Sequence, residues 1–482
     1  MPVAPGAPAP ASAISSAHLD PRFYACLCNG VGILGVTFVV FSPSLLSQSS
    51  IMNSSNIDLT QAPELRSVAP KPAKTFDFKL EGLRGLAALT VVLGHTVVIR
   101  QTLDPHYQPS GVFAFQAPGH LSVLIFFILS GYVIGLTNQR PLQRNGIGPY
   151  LKKRLVRIYP IYLVSMLLAL AISQAVPASV AAANLTFTQV LLAPVLSANA
   201  PSWSLHYEIL FYLLFIPVSY FRMSPVLVCL GSFLAGLAVL LLANWPGAPL
   251  LTSYLFGFSF WTLGLVLVNI SRHGAAHYTS LQLLSAFLLF FSLEETNQLQ
   301  TVYLKVTQAL PGLRWSFSES VPWVERAIAL VDFTYLPYCV LVLLIFTNRS
   351  FPYQKWLTYL LYLLPAYSLV YLYHNRADAV HFQHYLIPVC SYLLSVLLLV
   401  LSRSNVLEGP ADWLLAQTIK LGALSYGLYI IHYPILKIFG LIEPFSGHWY
   451  TFLVRFIAFM ALSLLAAALL EKRFQPWARR FF

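Results

Sequence analysis

Charge is what this chain has least of: Asp, Glu, Lys and Arg make up 10% of its 482 residues, where roughly a quarter is usual in a soluble domain. That scarcity, joined to 57% hydrophobic residues, argues against a soluble globular protein. Cysteine is also rare, at five. Cys26, Cys28, Cys229, Cys339 and Cys390 lie apart or inside apolar stretches, so neither a disulfide framework nor a zinc site follows. No metal and no tightly bound cofactor is expected. Acidic residues are scarcer than basic ones, 17 against 29, leaving a net charge of +12. The Lys and Arg fall in short clusters between apolar runs, as membrane topology requires, and form no face for nucleic acid. Matching interrupted helices in two halves, the mark of many transporters, are absent as well.

What is present is a succession of apolar segments. At about 20 residues per crossing, the length has room for roughly ten to thirteen membrane helices. Residues 1–22, rich in Ala, Pro and Ser, read as a disordered tail. A candidate membrane helix follows at 23–46; only Arg22 precedes it and it is long enough to span, unlike a signal peptide. A polar linker leads to about 75. Further runs lie at about 82–99, 118–137, 158–175, 205–222, 225–244, 250–270, 281–293, 327–346, 356–374, 380–402, 421–440 and 450–470. The short 281–293 run either spans or re-enters. If it spans, the loops with Lys79, Arg140, Arg144, Lys152, Arg222, Arg349, Lys355, Arg403 and Lys420 share one face with the basic tail at 476–482. The positive-inside rule makes that face and the C-terminus cytoplasmic. The expected fold is an all-α polytopic membrane bundle of about ten core helices plus the N-terminal apolar segment. Asn184 is the one N-x-Ser/Thr asparagine in an expected external loop, a short pattern of little weight.

An ionisable residue in the middle of a membrane helix costs about 2.5–3.5 kcal/mol and so needs a partner, a cavity or a task. Arg84 and His95 are eleven residues apart, close to three helical turns, on one face about 16 Å apart along the axis. A buried imidazole could take a proton from an attacking hydroxyl while the guanidinium holds phosphate; equally, Arg84 could snorkel and His95 could bond a neighbouring helix. In FFILSGYVIG, Ser130 sits beside Gly131 and Gly135. The glycine spacing favours close helix packing over a serine nucleophile, which lacks a local base in sequence. Arg154 and Arg157, three apart at the cytoplasmic boundary, either grip a phosphate or anchor the helix. In PSWSLHYEILFY, Trp203, Ser204, Glu208 and Tyr212 open another span. Ser204, Glu208 and Tyr212 follow at four-residue steps on one face, placing the carboxylate towards an acceptor hydroxyl, a cation or His95, or in a structural hydrogen bond. His432 lies inside a late span, SYGLYIIHYP, as cavity lining or part of a network.

Taken in order, Arg84-x10-His95, FFILSGYVIG, Arg154-x-x-Arg157 followed by Ile-Tyr-Pro, Trp203-Ser-Leu-x-x-Glu208, SYGLYIIHYP and the closing EKRF from Glu471 resemble the membrane acyltransferase-3 family of integral membrane O-acyltransferases. The resemblance covers about 76–475. It implies an acyl-CoA donor, acetyl-CoA first among them, arriving from the cytoplasm, and transfer to a hydroxyl of a carbohydrate, glycolipid or other envelope-type acceptor, in a plasma (inner) membrane. It makes His95 the catalytic base with Arg84 its partner and Glu208 a third catalytic-site residue. It gives Arg154 and Arg157 to the acyl-CoA end of the site; Ser130, Trp203, Ser204, Tyr212 and His432 would contact substrate. The competing reading is a transporter of an acylated glycolipid or small solute using the same charges. A non-catalytic scaffold is disfavoured by the buried Arg84, His95 and Glu208.

Overall fold

The computed structural model describes residues 78–98, 102–107, 115–270, 272–273, 277–404 and 406–481; the expected span at 23–46 and Cys26 and Cys28 lie outside them. The chain is a bundle of helices: α1 Phe78–Val98, α2 Gly119–Thr137, α3 Arg144–Ile172, α4 Ala178–Leu185, α5 Trp203–Tyr220, α6 Pro225–Leu242, α7 Ala248–Ile270, α8 Ser280–Thr296, α9 Gln298–Ala309, α10 Leu336–Phe346, α11 Gln354–Leu363, α12 Tyr367–His374, α13 Ala379–Leu401, α14 Glu408–Gly422, α15 Ser425–Phe439, α16 Trp449–Leu469 and α17 Gln475–Ala478. The extended backbone among the described residues amounts to a two-residue ladder, Arg272–His273 against Arg349–Ser350, and one isolated bridge. The polytopic all-α expectation holds.

Seven of the described helical segments are long and apolar enough to cross a membrane, or eight if the bent pair α14–α15 is one span. The rest of the expected set is supplied by helices that are shorter or less apolar, of which α1, α8 and α10 turn most of their surface inwards. The expected 356–374 run remains one span, passing from α11 to α12 through a single tighter turn, Leu364–Ala366, where Pro365 supplies no amide hydrogen to the helix ladder. α14 lies almost wholly outside the expected runs, and it meets α15, the 421–440 run, at a 70° bend. Within α15, Pro434 leaves the carbonyl of Ile430 without its helical donor, and Ser165 on α3 donates to that oxygen at 2.7 Å. A freed backbone group in the membrane interior is thereby satisfied by a neighbouring helix.

Small residues set the closest approaches. A Cβ on Gly131 would lie 1.8 Å from the carbonyl oxygen of Trp261, and one on Gly264 2.2 Å from that of Ile128. The glycine face of α2 is thus the seat of α7, as the Gly-xxx-Gly spacing suggests. The same device joins α1 to α14, where a Cβ on Gly422 would come within 1.9 Å of the Glu81 carbonyl. Gly131→Ala should therefore force α2 and α7 apart and destabilise by about 1–3 kcal/mol or more. Gly148→Ala, which meets nothing within 4 Å, should leave the thermal transition in detergent unchanged or slightly raised; equal midpoints for both variants would refute this packing account.

The basic loops gather at one end of the bundle. Leu142 N donates to Ser219 Oγ, and Lys79 Nζ reaches Asn348 Oδ1 and the Tyr278 carbonyl. The opposite end is tied by His120 Nε2 to Asp332 Oδ1 at 3.1 Å, by Arg314 Nη1 on Asn244 at 2.9 Å, and by Gly447 N on Asp104 at 3.1 Å. Asn184 is fully buried there, its amide donating to Val180 and Pro194 carbonyls, so its N-x-Thr pattern serves packing.

Candidate functional site

Five helices, α1, α2, α3, α5 and α15, carry the polar residues of interest. α1 begins at the basic end with Arg84 and finishes near the opposite end with His95; α15 runs beside it in the same direction, from Ser425 to His432, whereas α2 and α5 both run the other way. They enclose a cavity of about 800 Å³ lined by Arg84, Ser130, Arg154, Arg157, Ser204, Glu208, Tyr212, Ser425, Tyr426 and Tyr429 together with apolar side chains of α2 and α5.

The four-residue steps on α5 do what their spacing suggests: Ser204, Glu208 and Tyr212 all face the cavity. Glu208 Oε1 accepts from Ser130 Oγ at 2.8 Å and from the Tyr212 hydroxyl, Ser130 Oγ lies 3.0 Å from that same hydroxyl, and Trp261 Nε1 donates to Ser130 Oγ at 3.2 Å. The serine hydroxyl is thus fixed by α5 and α7 together. Trp261 is a partner that sequence reading missed, being one aromatic within an apolar run.

Three guanidiniums face this single lining carboxylate. Arg84 Nη1 is paired with Glu81 Oε1 at 2.7 Å. Arg157 sits where α3 meets the C-terminal helices, its carbonyl accepting from Gln475 Nε2. Arg154 is 6% exposed and lies over the Tyr150 and Tyr212 rings at 5.8 and 6.0 Å. Its Nε has no hydrogen-bond partner among the described residues. A buried guanidinium nitrogen left unbonded is costly, so Arg154 is held at the cavity against a penalty that an added acceptor would relieve.

His95 does not line this cavity. Its Nδ1 lies 3.0 Å from Nε2 of His432, the rings stack at 5.1 Å, and Tyr433 closes the edge at 5.3 Å. His432 is fully buried, and its Nδ1 lies 3.0 Å from the Leu428 carbonyl. A carbonyl only accepts, so His432 Nδ1 carries the hydrogen and its Nε2 is the acceptor. His95 must then donate from Nδ1, which leaves His95 Nε2 with its lone pair, the form a general base requires. Between this pair and the cavity stands Tyr429, whose ring is 6.4 Å from His432 and whose hydroxyl is 2.6 Å from Ser204 Oγ. The structure therefore brings seven of the expected residues to one cavity and sets His95 and His432 behind its Tyr429 wall. Trp203 is apart from both, packed edge-on against Phe127, Tyr207 and Trp323. Among the described residues no group of three His, Cys, Asp or Glu could hold a metal.

Comparison with known proteins finds a family profile and two curated relatives. A family profile described as "Acyltransferase domain" matches residues 77–472. Among curated proteins, the chain is 30% identical over 148 residues to "Acyltransferase MdmB" of Streptomyces mycarofaciens, covering 28% of this chain and 37% of that protein. It is 34% identical over 94 residues to "Protein 2 in picA locus" of Rhizobium radiobacter, covering 19% of this chain and 43% of that one. The chain thus spans less than half the length of these curated relatives. No solved structure matches.

Proposed function

From the premise that this chain belongs to the acyltransferase-3 family, we propose that it is a multi-pass O-acyltransferase of a plasma (inner) membrane that moves an acyl group, acetyl in the first instance, from acyl-CoA to a hydroxyl of a carbohydrate, glycolipid or similar envelope-type acceptor. The observation that carries the reading is the His95–His432 pair, whose hydrogen bonds leave His95 Nε2 as a proton acceptor within a membrane helix.

The basic end is taken as cytoplasmic, with the C-terminus, by the positive-inside rule. A donor arriving there meets Arg84, Arg154 and Arg157, which offer its phosphates charge-assisted hydrogen bonds. The separation of Arg84 and His95, about 16 Å along α1, suits an extended pantetheine arm, so that with the Tyr429 side chain moved aside the thioester reaches the imidazole while the phosphate stays with the arginines. His95 Nε2 accepts the proton of the acceptor hydroxyl as its oxygen attacks the thioester carbonyl; the C–S bond breaks, and the departing sulfur takes up the proton to give CoA thiol and the ester. Glu208 keeps Ser130 and Tyr212 oriented and balances part of the arginine charge.

The test is release of CoA thiol from acetyl-CoA by purified full-length protein, with membrane glycolipids or polysaccharide as acceptors. Release that requires both the acceptor and His95 is expected. Movement of a solute across sealed vesicles with no thioester consumed would overturn the reading.

A further inference from the structure

Two successive spans, α11–α12 and α13, form a hairpin that is closed in its outer half and open at the basic end. Near the outer turn the Tyr371 and Tyr385 rings meet at 5.1 Å. Close to mid-depth the Tyr392 hydroxyl donates to the Tyr362 carbonyl at 2.8 Å, and the Tyr362 hydroxyl lies 2.8 Å from Ser285 Oγ on α8. From Tyr362 towards the basic end, α11 stands away from α8 and α13 around a cavity of about 1600 Å³, walled by Ile345, Trp356, Tyr359, Tyr362 and Leu399. The cavity reaches the end where Lys79 holds the Tyr278 carbonyl, and there Gln354 Nε2 donates to the Tyr278 hydroxyl at 2.6 Å. Lys355 and Arg403 stand at its mouth, both exposed and both without a hydrogen-bond or ion-pair partner among the described residues. No Asp or Glu is among its lining residues. Tyr353 and Trp356, also at the mouth, are exposed, as aromatic side chains at a membrane–water interface are.

Depth, charge and wall chemistry select the occupant. From Tyr353 to Tyr362 the helix rises about 14 Å, close to half of a hydrocarbon core about 30 Å thick, so the groove is as deep as one leaflet. A soluble anion would meet the two cations and leave the apolar walls uncovered. A zwitterionic headgroup would bring a cation of its own to a mouth that offers it no carboxylate. Basic pockets between spans on the cytoplasmic side are suited to anionic headgroups. We propose that this groove holds one phospholipid of net negative headgroup from the leaflet at the basic end, its phosphate met by Lys355 and Arg403 and an acyl chain lying along α11 as far as Tyr362. The proposal goes beyond acyl transfer and does not depend on it; it requires only that these helices span a membrane.

The experiment uses full-length protein in detergent, washed free of lipid, titrated with phosphatidylglycerol or with phosphatidylcholine of the same acyl chains and read by native mass spectrometry. Wild type should retain its first phosphatidylglycerol at concentrations about tenfold or more below those needed for phosphatidylcholine. Lys355→Gln combined with Arg403→Gln, both at exposed positions, should remove that preference. Thr358→Trp, which fills the groove and leaves both cations in place, should weaken retention of phosphatidylglycerol by a similar factor, with thermal midpoints showing that each variant is folded. Soluble glycerol 3-phosphate should not displace the lipid. Equal retention of the two lipids by wild type, or a preference that survives the double variant, means annular lipid only and overturns the proposal. A preference that survives Thr358→Trp places the lipid outside the groove and overturns it too. Displacement by glycerol 3-phosphate assigns the cations to a soluble anion, with the same consequence.

Discussion

Replacing His95 with Ala is expected to lower acyl transfer by about 10²- to 10⁴-fold, the usual contribution of a positioned general base, with the protein still inserted and monodisperse in detergent. The side chain is partly exposed and its ring bonds one neighbour, His432, so its removal opens little of the core. The same geometry predicts a graded series at His432. With Leu there, nothing accepts from His95 Nδ1, and the imidazole is free to turn or change tautomer. Turnover should fall about 10- to 100-fold, as when other groups that orient a reacting imidazole are lost, with KM for donor unchanged. His432→Gln offers an amide oxygen near the position of the lost Nε2 and should recover part of the rate. A fold defect would lower the Leu and Gln variants alike and would not separate kcat from KM; recovery by Gln is specific to an acceptor role. Full activity in His95→Ala would end the assignment.

How much of this could be read from the sequence follows the distance over which each relation acts. Arg84 and His95 belong to one helix, and so do Ser204, Glu208 and Tyr212; helical periodicity alone puts each set on a common face, and the three α5 residues all reach the cavity. The Gly131 face was legible for the same reason. The contact between His95 and His432 spans 337 positions, and no local pattern encodes it; it depends on α15 packing beside α1 and on the Leu428 carbonyl, which is invisible to side-chain reasoning. Trp261 is another such case, since an indole among apolar neighbours gives no sign that its N–H holds Ser130. Trp203 shows the opposite limit: it lies in the most suggestive motif of the chain, yet its ring belongs to the aromatic core around Phe127 and Tyr207. Near charged residues a large aromatic can be substrate platform or core, and only packing distinguishes them.

The arginine cavity leads to the second large effect. Arg154→Met keeps much of the length and apolar stem of the side chain but removes the buried guanidinium and its unbonded Nε. In the free enzyme that removal relieves a buried charge, so folding should not suffer. In the donor complex it deletes a charge-assisted hydrogen bond worth about 1.5–3 kcal/mol, or roughly 10- to 150-fold in KM for donor. Arg154→Lys restores the charge without the planar fork and should regain only part of that loss. Donor choice then tests the phosphate assignment. Acetyl-4′-phosphopantetheine retains one phosphate, so Arg154→Met should still impair it. An acetyl thioester with no phosphate should be used equally by wild type and Arg154→Met. If Arg154→Met instead binds every donor as wild type does, the guanidinium is an anchor of α3 and the phosphate lies elsewhere; if it fails with the phosphate-free donor as well, Arg154 supports the cavity through Tyr150 and Tyr212 rather than through the donor's charge.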